Sequence, residues 1–296
     1  MDTEQFQKTD KTGRFPVNQY KIFDNHFHLN YHSDFLKGVM KFKKAGGEAI
    51  NLTCLPDYSM PPSGYYERIY EETIKMADRV REELNVTVLV TLGPYPLDLL
   101  HFRESVEDSF KMVQDGMDLA SKFISEGKAN AMGEIGRPHF EVPLPDLERS
   151  DRLLEYAFNL CNDLKCPAIL HTEDLDEQRI LNIEKMALKS GLNPGKVVKH
   201  HALVENLGSR SPMIFSLPAT RKNVRTAMEM KKKFLLETDY INDPKDDNRF
   251  LPPDSVPLRA RMIRQSYPDQ WEEIFENIFR NIPIKLFGEE SFKTLQ

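Results

Sequence analysis

The sequence predicts an α/β protein folded as a single-domain (β/α)8 barrel, the TIM-barrel architecture, and three observations carry that expectation. Eight short β-branched or apolar runs alternate with helical stretches along 296 residues. No Gly- or Ser-rich linker divides the chain, and no GxGxxG turn supports the competing doubly wound open sheet. A strand that returns parallel to its predecessor needs a crossover, and a helix is the usual one.

Residues 1–17 are polar and aperiodic and read as a flexible arm ahead of a barrel spanning 18–296. The eight runs are Ile22–Leu29, Ala49–Leu55, Val86–Leu92, Ala131–Ile135, Pro167–His171, Lys196–His200, Met213–Leu217 and Phe234–Asp239. After the second run, Tyr66, Ile69, Tyr70, Ile74, Ala77, Val80 and Leu84 recur at spacings of three and four, which predicts a helix over Tyr65–Leu84. Leu153, Leu154, Ala157, Phe158, Leu160 and Cys161 do the same before Pro167, and Ile180, Ile183, Ala187 and Leu188 before a Gly191–Gly195 stop. His201–Pro212 is short and gives the weakest helix. Trp271, Ile274, Phe275, Ile278 and Phe279 mark the last one.

Composition narrows the function classes. Forty Lys and Arg against 46 Asp and Glu give a net charge of −6, so no stable duplex nucleic-acid binding is expected. No uncharged run approaches the roughly 18 residues of a spanning helix, so no membrane partner is expected. The N-terminus lacks a signal-peptide core. Cys54, Cys161 and Cys166 are odd in number and lack CxxC spacing, which argues against a disulfide framework. A cytoplasmic, reducing location is the expectation.

Active sites of such barrels lie at the C-terminal ends of the strands. Strand one ends in Asp24-Asn25-His26-Phe27-His28, and period two puts both imidazoles on one side. Strand four ends in Gly133-Glu134-Ile135-Gly136, strand five in His171-Thr172-Glu173, strand six in Lys199-His200-His201 and strand eight in Glu237-Thr238-Asp239. Carboxylates are costly to bury alone, but with neutral imidazoles they make a nest for divalent cations. Glu134 is the central candidate to bridge two of them. Such a cation makes water nucleophilic near neutral pH, and Asp239 is placed to take the proton. Either His200 or His201 can serve strand six. An inward His201 would carry the Lys199 cation in beside the metals, whereas an inward His200 brings Val198, so His200 is favoured.

The ordered set resembles the TatD family of metal-dependent hydrolases, in the amidohydrolase superfamily, and within it an uncharacterised archaeal branch. The resemblance rests on Asp24-Asn25-His26-Phe27-His28-Leu29, Gly133-Glu134-Ile135-Gly136-Arg137-Pro138-His139, Leu170-His171-Thr172-Glu173, Val197-Val198-Lys199-His200 and Glu237-Thr238-Asp239-Tyr240, with Asn281 and Leu286-Phe287-Gly288 like the closing helix. It implies that His26, His28 and Glu134 hold one metal, that Glu134, His171 and His200 hold the other, and that Asp239 is ligand and general base. One or two divalent ions are implied. A histidine-rich shell favours Zn, Mn, Ni or Co, with Mg a weaker candidate.

Two departures bear on substrate. Where the family has Gly-x-His-Pro, this chain has Gly93-Pro94-Tyr95-Pro96, and where the family often has Arg after the fifth-strand His, it has Glu173. A carboxylate there repels phosphate. Arg137 and His139 are candidates to restore positive charge, with salt bridges to the acidic segment that follows as the alternative. Arg137, His139, Tyr95 and Glu173 are therefore the substrate-binding candidates. Arg249, Arg259, Arg261 and Arg264 follow strand eight as candidates to steer an anion, diluted by Asp243, Asp246, Asp247 and Asp254. Lys41, Lys43, Lys44 and Lys231–Lys233 read as solvated helix ends. Tyr58–Tyr66 is a stacking rim or, preferably, a packed lid. The leading expectation is a phosphodiesterase or deoxyribonuclease acting on nucleic-acid ends. A metallohydrolase of a small lactone, ester or amide is the alternative, and a non-catalytic metal-binding scaffold is the least favoured.

Overall fold

The computed structural model describes residues 20–242 and 251–292. The expected arm at 1–17 lies outside them, as do Arg249, Asp243, Asp246 and Asp247. All eight expected strands form: β1 (Phe23–Phe27), β2 (Ala49–Thr53), β3 (Thr87–Leu92), β4 (Ala131–Gly136), β5 (Ala168–His171), β6 (Val197–Lys199), β7 (Ile214–Pro218) and β8 (Leu235–Glu237). They pair in sequence order, every pair parallel. A parallel bridge from Phe27 to Tyr240 closes the barrel, with His28 N–H donating to Tyr240 O at 2.7 Å and Asp239 N–H to His26 O at 3.0 Å. The chain is thus a (β/α)8 barrel.

The outer layer is α1 (Leu36–Lys44), α2 (Tyr65–Leu84), α3 (Asp98–His101), α4 (Ser109–Ser125), α5 (Leu144–Leu164), α6 (Glu177–Lys189), α7 (Arg221–Met230), α8 (Ser255–Ser266), α9 (Trp271–Glu276) and α10 (Ile282–Phe287). The α2 bounds are those the periodicity predicts. Between β6 and β7 there is only a 3-10 turn, Val204–Gly208, as the short His201–Pro212 segment suggests. The last predicted helix, marked from Trp271 to Phe279, is α-helical to Glu276 and runs on through a π-type turn over Asn277–Asn281 into α10. There α10 lies under the barrel, where Ile282 and Leu286 pack on the inward side chains Ala131, Ile169, Val198 and Leu235. The floor is therefore apolar and sealed. Above it the inward positions turn polar: Asn51, Thr91, Ser216 and Glu237 are all buried.

Two strands depart from a regular ladder. The register slips by one residue between Asp24 and Phe27 in β1, and between Gly133 and Ile135 in β4. Gly133 faces inward beside Ile169, so strict alternation would send Glu134 to the helical layer; the irregularity turns it into the barrel. A Cβ on Gly133 would stand 2.7 Å from Ile169 O, and Gly136 sits at φ +141° with no room before His171 O. Only glycine fits either position. The three cysteines are free and buried, and no described helix is long and apolar enough to cross a membrane.

The aromatic loop after β2 is a packed lid. Tyr65 and Tyr66 are buried, and Tyr58 stacks on His101 at 3.8 Å. Tyr58 and Tyr66 donate to the Asp98 carboxyl at 2.8 and 3.0 Å, and Tyr95 N–H at 3.1 Å. Complete burial outweighs these bonds and lifts the Asp98 carboxyl to about 7. An acid with a raised folded pKa favours folding while protonated, so its contribution is lost as pH rises from about 4 toward that value. Urea unfolding of wild type and Asp98→Asn between pH 4 and 8 should show wild type losing ground to the variant, on the order of 2–4 kcal/mol in all. Parallel curves would overturn the assignment.

Candidate metal centre

Inward alternation at the tops of β1, β5, β6 and β8, and the irregularity in β4, bring His26, His28, Glu134, His171, His200 and Asp239 together. Glu134 lies at the middle. Its Oε1 is 2.7 Å from His200 Nε2, 3.2 Å from His171 Nδ1 and 3.3 Å from His26 Nε2, and its Oε2 is 3.9 Å from His28 Nε2. Asp239, at φ +51° just past β8, reaches His28 Nε2 at 3.4 Å and His26 Nε2 at 3.9 Å. The imidazole nitrogens also face one another, His26 Nε2 and His28 Nε2 at 3.0 Å and His171 Nδ1 and His200 Nε2 at 2.9 Å.

The electrostatics follow from this packing. Burial pushes the Glu134 carboxyl up, but the imidazoles of His200, His26 and His171 prevail and hold it well below the usual range. Burial likewise works against Asp239, yet the His28 hydrogen bond and the charges of His200 and His26 bring it down to about 2. Burial lowers His26 and His171. For His28 and His200 burial acts in the same sense but loses to neighbouring carboxylates, and His200 is raised to about 10. Both carboxylates are anions at neutral pH, facing four imidazoles.

Among the described residues, three groups could hold a divalent cation: His26, His28 and Glu134; Glu134, His171 and His200; and His26, His200 and Asp239. Within each, the donor atoms lie within 4.8 Å of one another. The chemistry fits. Nitrogen lone pairs aimed at one another at 3 Å repel unless a proton or a cation lies between, and nitrogen-rich sets with carboxylates suit Zn and its neighbours.

Around this cluster the other predicted residues fall into two sets. Tyr95 Oη is 3.2 Å and His139 Nδ1 3.0 Å from His171 Nε2; Tyr95 is half-buried and His139 exposed. Arg137 lies apart. It is buried, with Nε donating to Asp151 at 2.5 Å and Nη1 to Glu173 at 3.4 Å, and Glu173 also meets Arg179 at 3.4 Å. Of the two strand-six histidines, His200 is inward and buried, whereas His201 is exposed at φ +47°. Lys199 points outward and donates to Thr172 O at 3.1 Å. Arg261 reaches Ala45 O, and Arg264 stacks on Trp271 at 4.0 Å, both within the helical layer. Lys41, Lys43, Lys44 and Lys231–Lys233 are exposed. The sequence reading passed over Glu237, which is fully buried beneath His200; its shared parity with Asp239 was the available signal.

Known proteins similar to this chain bear on its family and fold. The TatD related DNase family matches residues 23–288. An uncharacterized protein of Methanocaldococcus jannaschii is 28% identical over 258 residues, covering 84% of this chain and 90% of its own. Among solved structures, the TatD-like protein of Archaeoglobus fulgidus superposes with a TM-score of 0.61 at 16% identity, covering 89% of this chain and 99% of that one. The phosphotriesterase homology protein of Escherichia coli, solved with phosphate in its active site, gives 0.58 at 14% identity over 90% and 98% of the two chains. At these identities the structural likeness speaks to the fold alone. With the family matched across nearly the whole barrel, this chain belongs to the TatD-related hydrolases.

Proposed function

We propose that the protein is a divalent-metal-dependent hydrolase whose centre would hold one or two ions, with Glu134 a candidate ligand to both, and that it cleaves phosphodiesters at accessible nucleic-acid ends or in small molecules. The observation that carries this reading is the single oxygen, Glu134 Oε1, within 3.3 Å of imidazoles from three different strands. His26 and His28 would hold one ion with Glu134, His171 and His200 the other, and Asp239 would complete the shell. Bound there, such ions supply Lewis acidity and make water nucleophilic at neutral pH. Asp239, an anion with a low pKa, accepts the attacking water's proton and hands it to the leaving group. Tyr95 and His139, on His171 at the rim, are placed to donate hydrogen bonds to substrate. The three reduced, buried thiols suit a cytoplasmic protein.

One observation favours a second reading, a metallohydrolase of lactones, esters or amides. Arg137 is neutralised by Asp151 and Glu173 and is only 6% exposed, so it offers no clamp for phosphate, and the βα loops expose Phe140 and Leu203 instead. A carbonyl substrate needs one polarising donor, which Tyr95 supplies.

Purified protein supplied with Mn or Zn should bind up to two ions per chain by elemental analysis, and the double variant His26→Ala, His28→Ala should lose one or both. Unchanged metal content would remove the ligand assignment. Offered a single-stranded oligonucleotide, a generic phosphodiester and a panel of lactones and esters, the loaded enzyme should turn over the phosphodiesters; activity confined to the carbonyl panel would overturn the first reading in favour of the second. Asp239→Asn should keep at least one ion while kcat falls about 10²–10⁴-fold. Arg137→Gln should lower unfolding stability by about 1–3 kcal/mol in urea titrations and leave KM unchanged. Unaltered stability with a raised KM for an anionic substrate would make Arg137 a substrate clamp instead.

A further inference from the structure

Glu237 is a carboxylate sealed inside the barrel, with no exposed surface, one residue pair below Asp239 on β8. Burying a charge there is costly unless specific partners compensate. Both groups that meet it belong to the end of β6: Oε1 accepts the His201 N–H at 2.6 Å and lies 3.3 Å from His200 Nδ1. Its other oxygen, Oε2, has no hydrogen-bond partner. The two contacts constrain different things. Capture of the His201 N–H holds that residue in its left-handed conformation, φ +47°, which leaves His201 exposed and His200 turned inward. His200 Nδ1 makes no hydrogen bond, yet it faces a carboxylate oxygen 3.3 Å away; a proton on Nδ1 is favoured there, and an imidazole protonated at Nδ1 presents Nε2 to whatever lies opposite. Opposite lie Glu134 Oε1 at 2.7 Å and His171 Nδ1 at 2.9 Å.

We propose that Glu237 is the positioning residue of the candidate metal centre: from β8 it selects His200 over His201 as the inward imidazole and fixes the Nδ1–H form, so that Nε2 is the ligating atom. This rests on the metal-centre reading above. The two contacts made by Glu237 are between residues 36 and 37 positions apart, on strands that are not neighbours in the sheet, since β7 stands between β6 and β8.

The test combines metal affinity with a direct view of the ring nitrogens. Zinc affinity is measured by competition with a chromophoric chelator for wild type, E237Q, E237D and E237M. The zinc-loaded proteins, labelled with ¹⁵N-histidine, are compared by long-range ¹H–¹⁵N spectra, with His200 assigned by difference from H200Q. In wild type the His200 proton should sit on Nδ1 and the metal-shifted nitrogen should be Nε2. E237M, similar in volume but without an acceptor, should bind zinc about 10–100-fold more weakly and lose the protected Nδ1 proton. E237D, whose carboxylate is withdrawn by one methylene, should move in the same direction and carries the test if E237M does not fold. E237Q, which keeps an acceptor at the same reach, should retain the Nδ1–H signal and lie closer to wild type than either. Wild-type affinity and an unchanged His200 spectrum in E237M or E237D overturn the proposal while leaving the metal centre standing. Ligation through His200 Nδ1 also overturns it. A wild-type protein that takes up no divalent cation overturns the metal centre and, with it, this role.

Discussion

The burial of the Glu134 carboxylate is the constraint around which the rest of the molecule is arranged. A lone carboxylate 5% exposed would be expected to take up a proton rather than stay charged. Here it remains an anion because His200, His26 and His171 crowd its oxygens and outweigh the cost of burial. That compensation requires four strands to deliver their side chains to one point. It also requires β4 to break its own alternation, with glycine at Gly133 where Ile169 O leaves no room for a side chain and at Gly136 where His171 O closes in. The irregularity is the local cost of turning this residue inward, and the imidazole cluster is what makes the inward position tolerable.

The barrel separates two jobs along its axis. Its lower half is an ordinary apolar plug, finished by α10 from beneath, and supplies packing. Its upper half is polar and holds the site. The seam between β1 and β8 is where these meet. Asp24 accepts the Thr238 N–H at 3.0 Å and the Thr238 hydroxyl at 2.7 Å, so the strand that carries His26 and His28 is tied side chain to backbone to the strand that carries Asp239. Closure of the barrel at this seam sets His26 and His28 beside Asp239.

Charge around the mouth is largely spent on structure. Arg137 is divided between Asp151 and Glu173, and Lys199 is committed to a backbone carbonyl. Side chains near His171 that remain accessible, Tyr95 and His139, can donate hydrogen bonds but bring no permanent positive charge. With a net charge of −6, attraction of an anionic substrate would depend chiefly on the centre itself. Phe140 and Leu203 add exposed apolar surface on loops that follow β4 and β6. The TatD membership fixes the architecture and the hydrolase class; this distribution of charge is what a substrate must satisfy.

Much of this was legible from residue order alone. The eight apolar runs, the α2 boundaries and the inward pairing of His26 with His28 follow from periods of two and 3.6, which neighbouring residues impose on one another without outside help. The choice of His200 over His201 was likewise reachable, because the alternative drags Lys199 inward. Period two, by contrast, points Glu134 the wrong way, and only the slipped register against β5 reverses it. Arg137 carries two readings in the sequence, and its ion pairs with Asp151 on α5 and Glu173 after β5 exist only in the folded chain. Beyond its parity with Asp239, Glu237 has no role in the sequence until the residues at the end of β6 fold against it, and the π-type turn ahead of α10 leaves no mark on the helical pattern. The physical division is consistent: conformational period is a local property of the chain, whereas the direction of a side chain at an irregular strand end, and the partner that neutralises a buried charge, are settled by groups tens to hundreds of residues away.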